Sequence, residues 1–532
     1  MNHNLLYGML ALFVGATALL GYLGYRHTKS SRDYLIAGGN VHPVLMALAY
    51  GSTFISTSAI VGFGGAAGVY GMSLLWLTVF NIFVGIFVAF VVFGLRTRAM
   101  AHALQVNTFP EFLGARFQSP FIRRFAAAVL SLTMPLYAAA VMIGGARYME
   151  EALGMDYVAA LTVFAAIVLG YVYFGGLRGV IYNDALQSTI MFVSMAVLIV
   201  LTYAKLGGVT AAHGKLEALR ALVPAALAAK GHQGWASMPA LGSEIWWFVV
   251  STLVLGVGIG VLAQPQLAVR YMTVASSRDI NRALGVGGVF ILFMTGVAFT
   301  VGALSNVYFV EASGRLALAA TAAGGAAAND DKIIPLFIAQ AMPEWLKYLF
   351  LFTLLSAAMS TLSGQFHLIS SSLSYDLNPG RERSDRRTLF LNRAGTVAGF
   401  ALTLALALLL PPGIIAIATA LFFGFCASAF LPMYAAALYW PRVTPAGAAW
   451  SMVAASATYL VLVLVVHEKE AAIFGVCQSL FGVKSLASAP WTYIDPLVLT
   501  LPISALTLWA VSLATQPAAE GSWFPRKRWC RL

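Results

Sequence analysis

The sequence predicts an all-α integral membrane protein of about 13 transmembrane helices, built on two five-helix repeats with broken helices. Three observations predict it. Of 532 residues, 60% are hydrophobic and only 10% charged, where a soluble domain carries about 25% charged residues. Apolar runs of about twenty residues, the length that crosses a bilayer core, recur along the chain. Glycine and small hydroxyl residues gather in a few of those runs instead of spreading evenly.

The runs lie at 5–25, 43–70, 73–95, 124–148, 157–175, 184–206, 244–268, 283–308, 346–375, 388–410, 413–438, 446–466 and 493–515. The first has no Lys or Arg before it and Arg26, Lys29 and Arg32 after it. That order is the reverse of a signal peptide, so a retained span with its N-terminus outside is expected. An odd span count then places 21 of the 32 basic residues on the inner side, among them Arg96, Arg116, Arg178, Arg270 and the tail from Arg526. This asymmetry satisfies the positive-inside rule for an inner, plasma membrane with a cytoplasmic C-terminus. The net charge of +12 comes from residues between apolar runs. A nucleic-acid partner would need them on one soluble face. No obligate protein partner is evident, and Cys426, Cys477 and Cys530 lie too far apart for a disulfide framework or metal spacing.

The second run contains Gly51-Ser52-Thr53-Phe54-Ile55-Ser56-Thr57-Ser58 and then Gly62, Gly64, Gly65 and Gly68. The seventh contains Gly256, Gly258 and Gly260 before Gln264-Pro265. Glycine costs about 1 kcal/mol in a helix interior, and two such segments five spans apart fit the broken helices of inverted-repeat transporters. Close packing through small residues is the alternative. The expected organisation is a peripheral first span and inner loop (1–42), repeats at 43–206 and 244–438 joined by an outer loop (207–243), two peripheral spans (439–515) and a basic inner tail (516–532). The length of runs 43–70 and 346–375 fits tilted or broken helices.

No hydrolase, phosphate-loop or metal motif appears, so an enzyme is not expected, nor is any cofactor beyond a coupling ion. Gly62-Phe63-Gly64-Gly65 does not follow a strand, as a nucleotide loop would. His367, inside a span, reads as a hydrogen-bonded core residue. The ninth run carries Ser356-Ala357-Ala358-Met359-Ser360-Thr361-Leu362-Ser363. A hard cation takes carbonyl, hydroxyl and carboxylate oxygens. The hydroxyls of Ser360 and Thr361 share a helix turn, the Ala357 carbonyl joins them if that helix is distorted, and carbonyls freed near Ser52 and Ile55 complete a sodium shell. Ser and Thr bonding back to their own helix is the alternative. Asp184 opens the sixth run, either as a functional carboxylate at membrane depth or as a helix N-cap.

These segments resemble the solute:sodium symporter family over about residues 5–515. The resemblance rests on Asp33-Tyr34-Leu35-Ile36-Ala37-Gly38-Gly39, on Gly144 to Glu150, and on Gly175-Gly176 with Val180, Asp184 and Gln187. Further on it rests on Gln264-Pro265 with Arg270-Tyr271-Met272, on Ala357 to Ser363, and on Tyr439-Trp440-Pro441-Arg442 with Thr444 and Gly447. It implies the five-plus-five inverted repeat and a sodium site formed by the carbonyls of Ser52, Ile55 and Ala357 and the hydroxyls of Ser360 and Thr361. It implies that Asp184 lies on the sodium path. In sialic acid carriers that carboxylate shares a second site with two serines, and here those positions are Ser363 and Gly364.

The solute is expected between the broken centres of spans 2 and 7, near Phe54, Tyr137, Gly256, Val257, Gly258 and Val261. Relative to proline carriers, Phe54 replaces an Asp, Val257 and Val261 replace a Trp and a Tyr, and Tyr137 is kept. Phe54 is similar to the branch that carries monocarboxylates, vitamins and iodide. The expected function is sodium-coupled symport of a small solute, preferably a small organic anion. A proline-like amino-acid carrier is the alternative within the class, and an ion channel or transporter-like sensor is the alternative outside it.

Overall fold

The computed structural model describes residues 3–27, 31–322, 327–377, 385–411 and 413–516. Lys29, Arg381, Arg383, Cys530 and the basic tail beyond Gln516 lie outside them. Among the described residues the regular structure is helical, with no strand beyond an isolated Val41–Val274 bridge. Eleven helices among the described residues are long and apolar enough to cross a membrane, and two more apolar helices, Pro43–Phe54 and Tyr157–Gly170, are shorter. Length and composition by themselves pick out these eleven spans, and the expected count of thirteen is not confirmed by them.

In chain order the principal helices are α1 (His3–His27), α2 (Pro43–Phe54), α3 (Phe63–Tyr70), α4 (Leu75–Ile82, running on through Leu104), α5 (Pro120–Leu153) and α6 (Tyr157–Leu206). They continue with α7 (Val257–Gly260), α8 (Pro265–Met272), α9 (Ser277–Ser313), α10 (Glu344–Ser371), α11 (Asp385–Leu409), α12 (Ile415–Tyr439), α13 (Pro445–Val465) and α14 (Leu497–Ala514).

Two ends of the bundle are distinct. At the basic end, Arg96 donates to the Leu438 carbonyl (3.1 Å), Arg116 to the Ala437 carbonyl (2.8 Å), and Arg123 pairs with Asp376 (2.9 Å). At the capped end, the 207–243 connection closes over α3: Trp235 Nε1 donates to the Gly68 carbonyl and His232 bonds the Val69 carbonyl, both at 2.9 Å. Burial holds the His232 imidazole below its ordinary value.

Helix α6 spans 50 residues. Drawn straight it would measure about 75 Å, more than twice the bilayer core. Its ends nevertheless lie together at the capped end. Tyr157 donates to the Ala407 carbonyl (3.1 Å) and Lys205 stands over the Tyr308 ring, while Arg178 reaches the Ala37 carbonyl (3.0 Å) at the basic end. The chain therefore folds back near Arg178. The outgoing leg packs on α1 through paired glycines, since a Cβ on Gly24 would stand 2.2 Å from the Gly179 Cα.

The breaks fall away from the glycines. In the second run the helix stops at Ile55 (φ −84, ψ 90), before Gly62–Gly68. Those glycines serve close approach instead. A Cβ on Gly65 would meet the Asp330 carbonyl oxygen at 2.1 Å, and one on Gly302 would meet the Gly64 carbonyl oxygen at 2.0 Å. In the seventh run Gly256–Gly260 remain helical and the break is at Gln264 (φ −74, ψ 112). Pro265 causes it, because a proline disfavours helical geometry at the preceding residue and supplies no amide hydrogen. The ninth run, expected to be tilted or locally distorted, is one helix from Glu344 to Ser371.

Candidate functional site

A helix end leaves its last carbonyls without amide partners. Ile55 N still bonds the Gly51 carbonyl (2.8 Å), but the chain then turns. It restarts under Ser56, whose Oγ accepts from Ser58 N (3.1 Å) and whose carbonyl accepts from Ala59 N (3.0 Å). The carbonyls of Ser52 and Thr53 are thereby free to face α10. Ser360 Oγ lies 2.9 Å from the Ser52 carbonyl oxygen and 3.2 Å from that of Ala357. Thr361 Oγ1 lies 3.1 Å from the Thr53 carbonyl oxygen and 3.3 Å from that of Ser52. These residues are fully buried. Four of the five sodium ligands expected from sequence, Ser52, Ala357, Ser360 and Thr361, thus meet in one cluster. Ile55 stands at the break and takes part in none of these bonds, whereas Thr53, which sequence reasoning left out, does. Each hydroxyl has one hydrogen and two lone pairs, so rotation can turn it from carbonyl donor to cation ligand.

Asp184 does not open a helix. It lies inside α6, fully buried, and its carbonyl accepts from Ser188 Oγ at 2.6 Å. The N-cap alternative falls because helical bonding continues on both sides. Its Oδ2 pairs with Arg270 Nη2 at 3.0 Å, and the same nitrogen donates to Thr53 Oγ1 at 2.9 Å. Arg270 had counted as an orientation signal, yet it is only 1% exposed. An ionised carboxylate at membrane depth requires a cationic partner, and that rule was the available signal. Arg270 ties α8 to α6 and to the end of α2, one residue from Ser52. Asp184 Oδ1 and both polar atoms of Gln187 and of Gln365 are buried without a hydrogen-bond partner among the described residues. Ser363 donates back to the Ser360 carbonyl (2.9 Å). A narrow cleft lined by Asn107, Thr108, Gln266, Arg270, Gly364 and His367 lies below this pair. His367 bonds the Leu35 carbonyl (3.3 Å), in keeping with a core role.

The expected solute residues divide. Phe54 and Tyr137 meet through α12: the Phe423 ring centroid lies 6.3 Å from that of Phe54 and 5.4 Å from that of Tyr137, and Phe422 stacks on Tyr137 at 5.5 Å. Tyr137 also reaches Ser56 at the α2 break. Gly260 backs this cluster, with its Cβ direction aimed at the Phe423 backbone. Gly258 and Val261 instead face α4, against Phe80 and Gly85, and Gly256 faces Asp495 and the Ala420 carbonyl. Val257 is buried. Phe422 and Phe423 escaped sequence reasoning because an aromatic pair in an apolar run looks like any lipid-facing or core segment.

The model of the sodium:solute symporter family matches residues 34–455. The chain belongs to the sodium:solute symporter family. The symporter is 26% identical to the osmoregulated proline transporter OpuE of Bacillus subtilis over 474 residues, 88% of this chain and 90% of that one. It is 26% identical to the sodium/pantothenate symporter of Haemophilus influenzae over 454 residues, 85% of this chain and 88% of the other. Among solved structures it is similar to a Na+-coupled sialic acid symporter, with a TM-score of 0.75 at 16% identity, covering 97% of this chain and 99% of that one. The symporter thus has the inverted-repeat transporter fold, spans the membrane many times and works as a sodium-coupled carrier.

Proposed function

We propose that this symporter carries a small carboxylate-bearing solute into the cell with sodium by alternating access. One observation carries the reading: the hydroxyls of Ser360 and Thr361 converge on carbonyls freed at the α2 break. Sodium bound there ties α2 to α10 and so favours one arrangement of the two repeats, 43–206 and 244–438. The first ligands are the carbonyls of Ser52, Ile55 and Ala357 and the two hydroxyls, with Thr53 beside them. One charge crossing about 100 mV supplies about 2.3 kcal/mol. The basic end is the cytoplasmic end by the positive-inside rule, which puts the N-terminus outside and the cleft at Arg270 on the exit side.

The solute sits at Phe54, Tyr137, Gly260 and Phe423, where the helix restarting at Ser56 presents amide hydrogens to an anionic group. A carboxylate is the group shared by proline, pantothenate and sialic acid, the solutes named for the similar carriers. The proline transporters among the relatives favour a second reading, an amino-acid carrier. Uptake into proteoliposomes of labelled proline, pantothenate and a short monocarboxylate, each with and without a sodium gradient, separates the two. Sodium-independent conductance without counterflow would instead mark a channel.

No second sodium is proposed at Asp184, Ser363 and Gly364. Gly364 supplies no side-chain oxygen, and Arg270 Nη2 stands 3.6 Å from where its Cβ would be. Ser360→Ala and Thr361→Ala are each expected to raise the sodium concentration for half-maximal uptake at least about tenfold, the effect of losing roughly 1.4 kcal/mol at a charge-bearing ligand. Folded yield should hold. Wild-type sodium titrations in both variants would remove the site.

A further inference from the structure

A second buried carboxylate lies outside this site, in the last span. Asp495 precedes α14 and is 1% exposed. Its Oδ1 accepts from Leu497 N at 2.8 Å, which caps the helix, and its own amide donates to Ser251 Oγ at 3.0 Å. Capping accounts for Oδ1. It does not account for Oδ2, which points away from α14 into the bundle, towards the seventh span. No Lys or Arg among the described residues pairs with Asp495 in an ion pair.

Gly256 leaves a gap there. The point at which its Cβ would stand lies 3.5 Å from the Ser251 carbonyl oxygen, 3.7 Å from Asp495 Oδ2 and 3.8 Å from the Ala420 carbonyl oxygen. Three oxygens from three separate spans converge on one unfilled position. Thr252, one helical turn before Gly256, is fully buried, and its hydroxyl stands beside the Asp495 carboxylate. A neutral hydroxyl beside the carboxylate does not neutralise its charge, and an unpaired buried carboxylate costs free energy.

We propose that Asp495 Oδ2, the carbonyls of Ser251 and Ala420 and the hydroxyl of Thr252 bind a sodium ion in the gap at Gly256. Converging carbonyls distinguish this from protonation of Asp495, since a proton needs the carboxylate alone whereas a bare hard cation needs several oxygens. The site joins the seventh, eleventh and last spans. It lies about one helical turn along the same contact from Phe423, since Gly256 faces the Ala420 carbonyl and Gly260 the Phe423 backbone, and Gly424 points its Cβ direction at Asp495 Oδ1 (3.4 Å). Sodium here would fix the seventh span against α12, the two elements whose contact at Gly260 closes the solute cluster.

The inference rests on sodium coupling but not on the Ser360 and Thr361 site. Asp495→Asn tests it, because asparagine caps a helix as well as aspartate does while removing the charge. Gly256→Ala is the second variant, filling the gap with one methyl group and leaving the carboxylate. Full-length protein is titrated with sodium chloride against choline chloride, at pH 6 and pH 8, reading thermal unfolding and the Hill slope of solute uptake. Both variants are expected to need at least about tenfold more sodium for half of the stabilisation, at both pH values and with a lower Hill slope. Unchanged sodium titration in Asp495→Asn overturns the proposal, as does a change confined to pH dependence. A wild-type protein with no sodium response overturns both this site and the coupling reading.

Discussion

Arg270→Gln is expected to abolish transport and to destabilise the folded protein by about 3–5 kcal/mol, the cost of stranding a buried charge by removing its partner. Arg270 Nη2 holds Asp184 at 3.0 Å and Thr53 Oγ1 at 2.9 Å, so its loss leaves the Asp184 carboxylate uncompensated and loosens the residue beside Ser52. Asp184→Asn alone is expected to act differently. It keeps the shape and a carbonyl oxygen for Arg270, and should slow turnover more than it weakens solute binding. The double variant should recover most of the lost stability, since neither charge is then stranded, while uptake stays low. Thermal unfolding in detergent and single-turnover uptake give the two readouts. Additive destabilisation in the double variant would show that the two groups do not act as a pair.

Gly260→Val is the second large expected effect. A Cβ at 260 would stand 2.6 Å from the Phe423 carbonyl oxygen and 2.7 Å from both its carbonyl carbon and its Cβ. Two of those atoms are backbone, so no rotamer change relieves the contact, and α12 must shift. Overpacking of this kind costs about 1–3 kcal/mol. The shift also moves Phe423 relative to Phe54 and Tyr137, so uptake is expected to fall by at least about tenfold even where the protein still folds. Gly296→Ala is the control: nothing lies within 4 Å of its Cβ position, and it should transport normally. Normal uptake by Gly260→Val would separate the Phe423 contact from solute handling.

The two variants also mark the limits of reading this chain as a string. The membrane-spanning character, the helical class and the hydroxyl run at Ser360-Thr361 followed from composition and local pattern, because a bilayer imposes length and hydrophobicity on each segment independently of its neighbours. The proline-induced break at Gln264 was equally local, although the glycines before it drew the break to the wrong residues. Glycine signals a need for close approach or for freedom, and the sequence does not distinguish them. Gly65 and Gly302 turn out to serve approach.

Tertiary structure alone decided the partnerships. Asp184 and Arg270 are 86 residues apart in the chain, and an arginine near a span end looks like an orientation signal until the fold buries it. Phe423 and Asp495 belong to spans that carried no motif. Their roles arise from which face of α12 and which end of α14 meet the seventh span. A buried charge or a missing Cβ acquires its energetic meaning from the atoms that surround it, and those atoms come from distant parts of the chain. The sequence by itself determined that this is a membrane-embedded helical carrier of the sodium-coupled kind; the packing decided which oxygens and charges face one another.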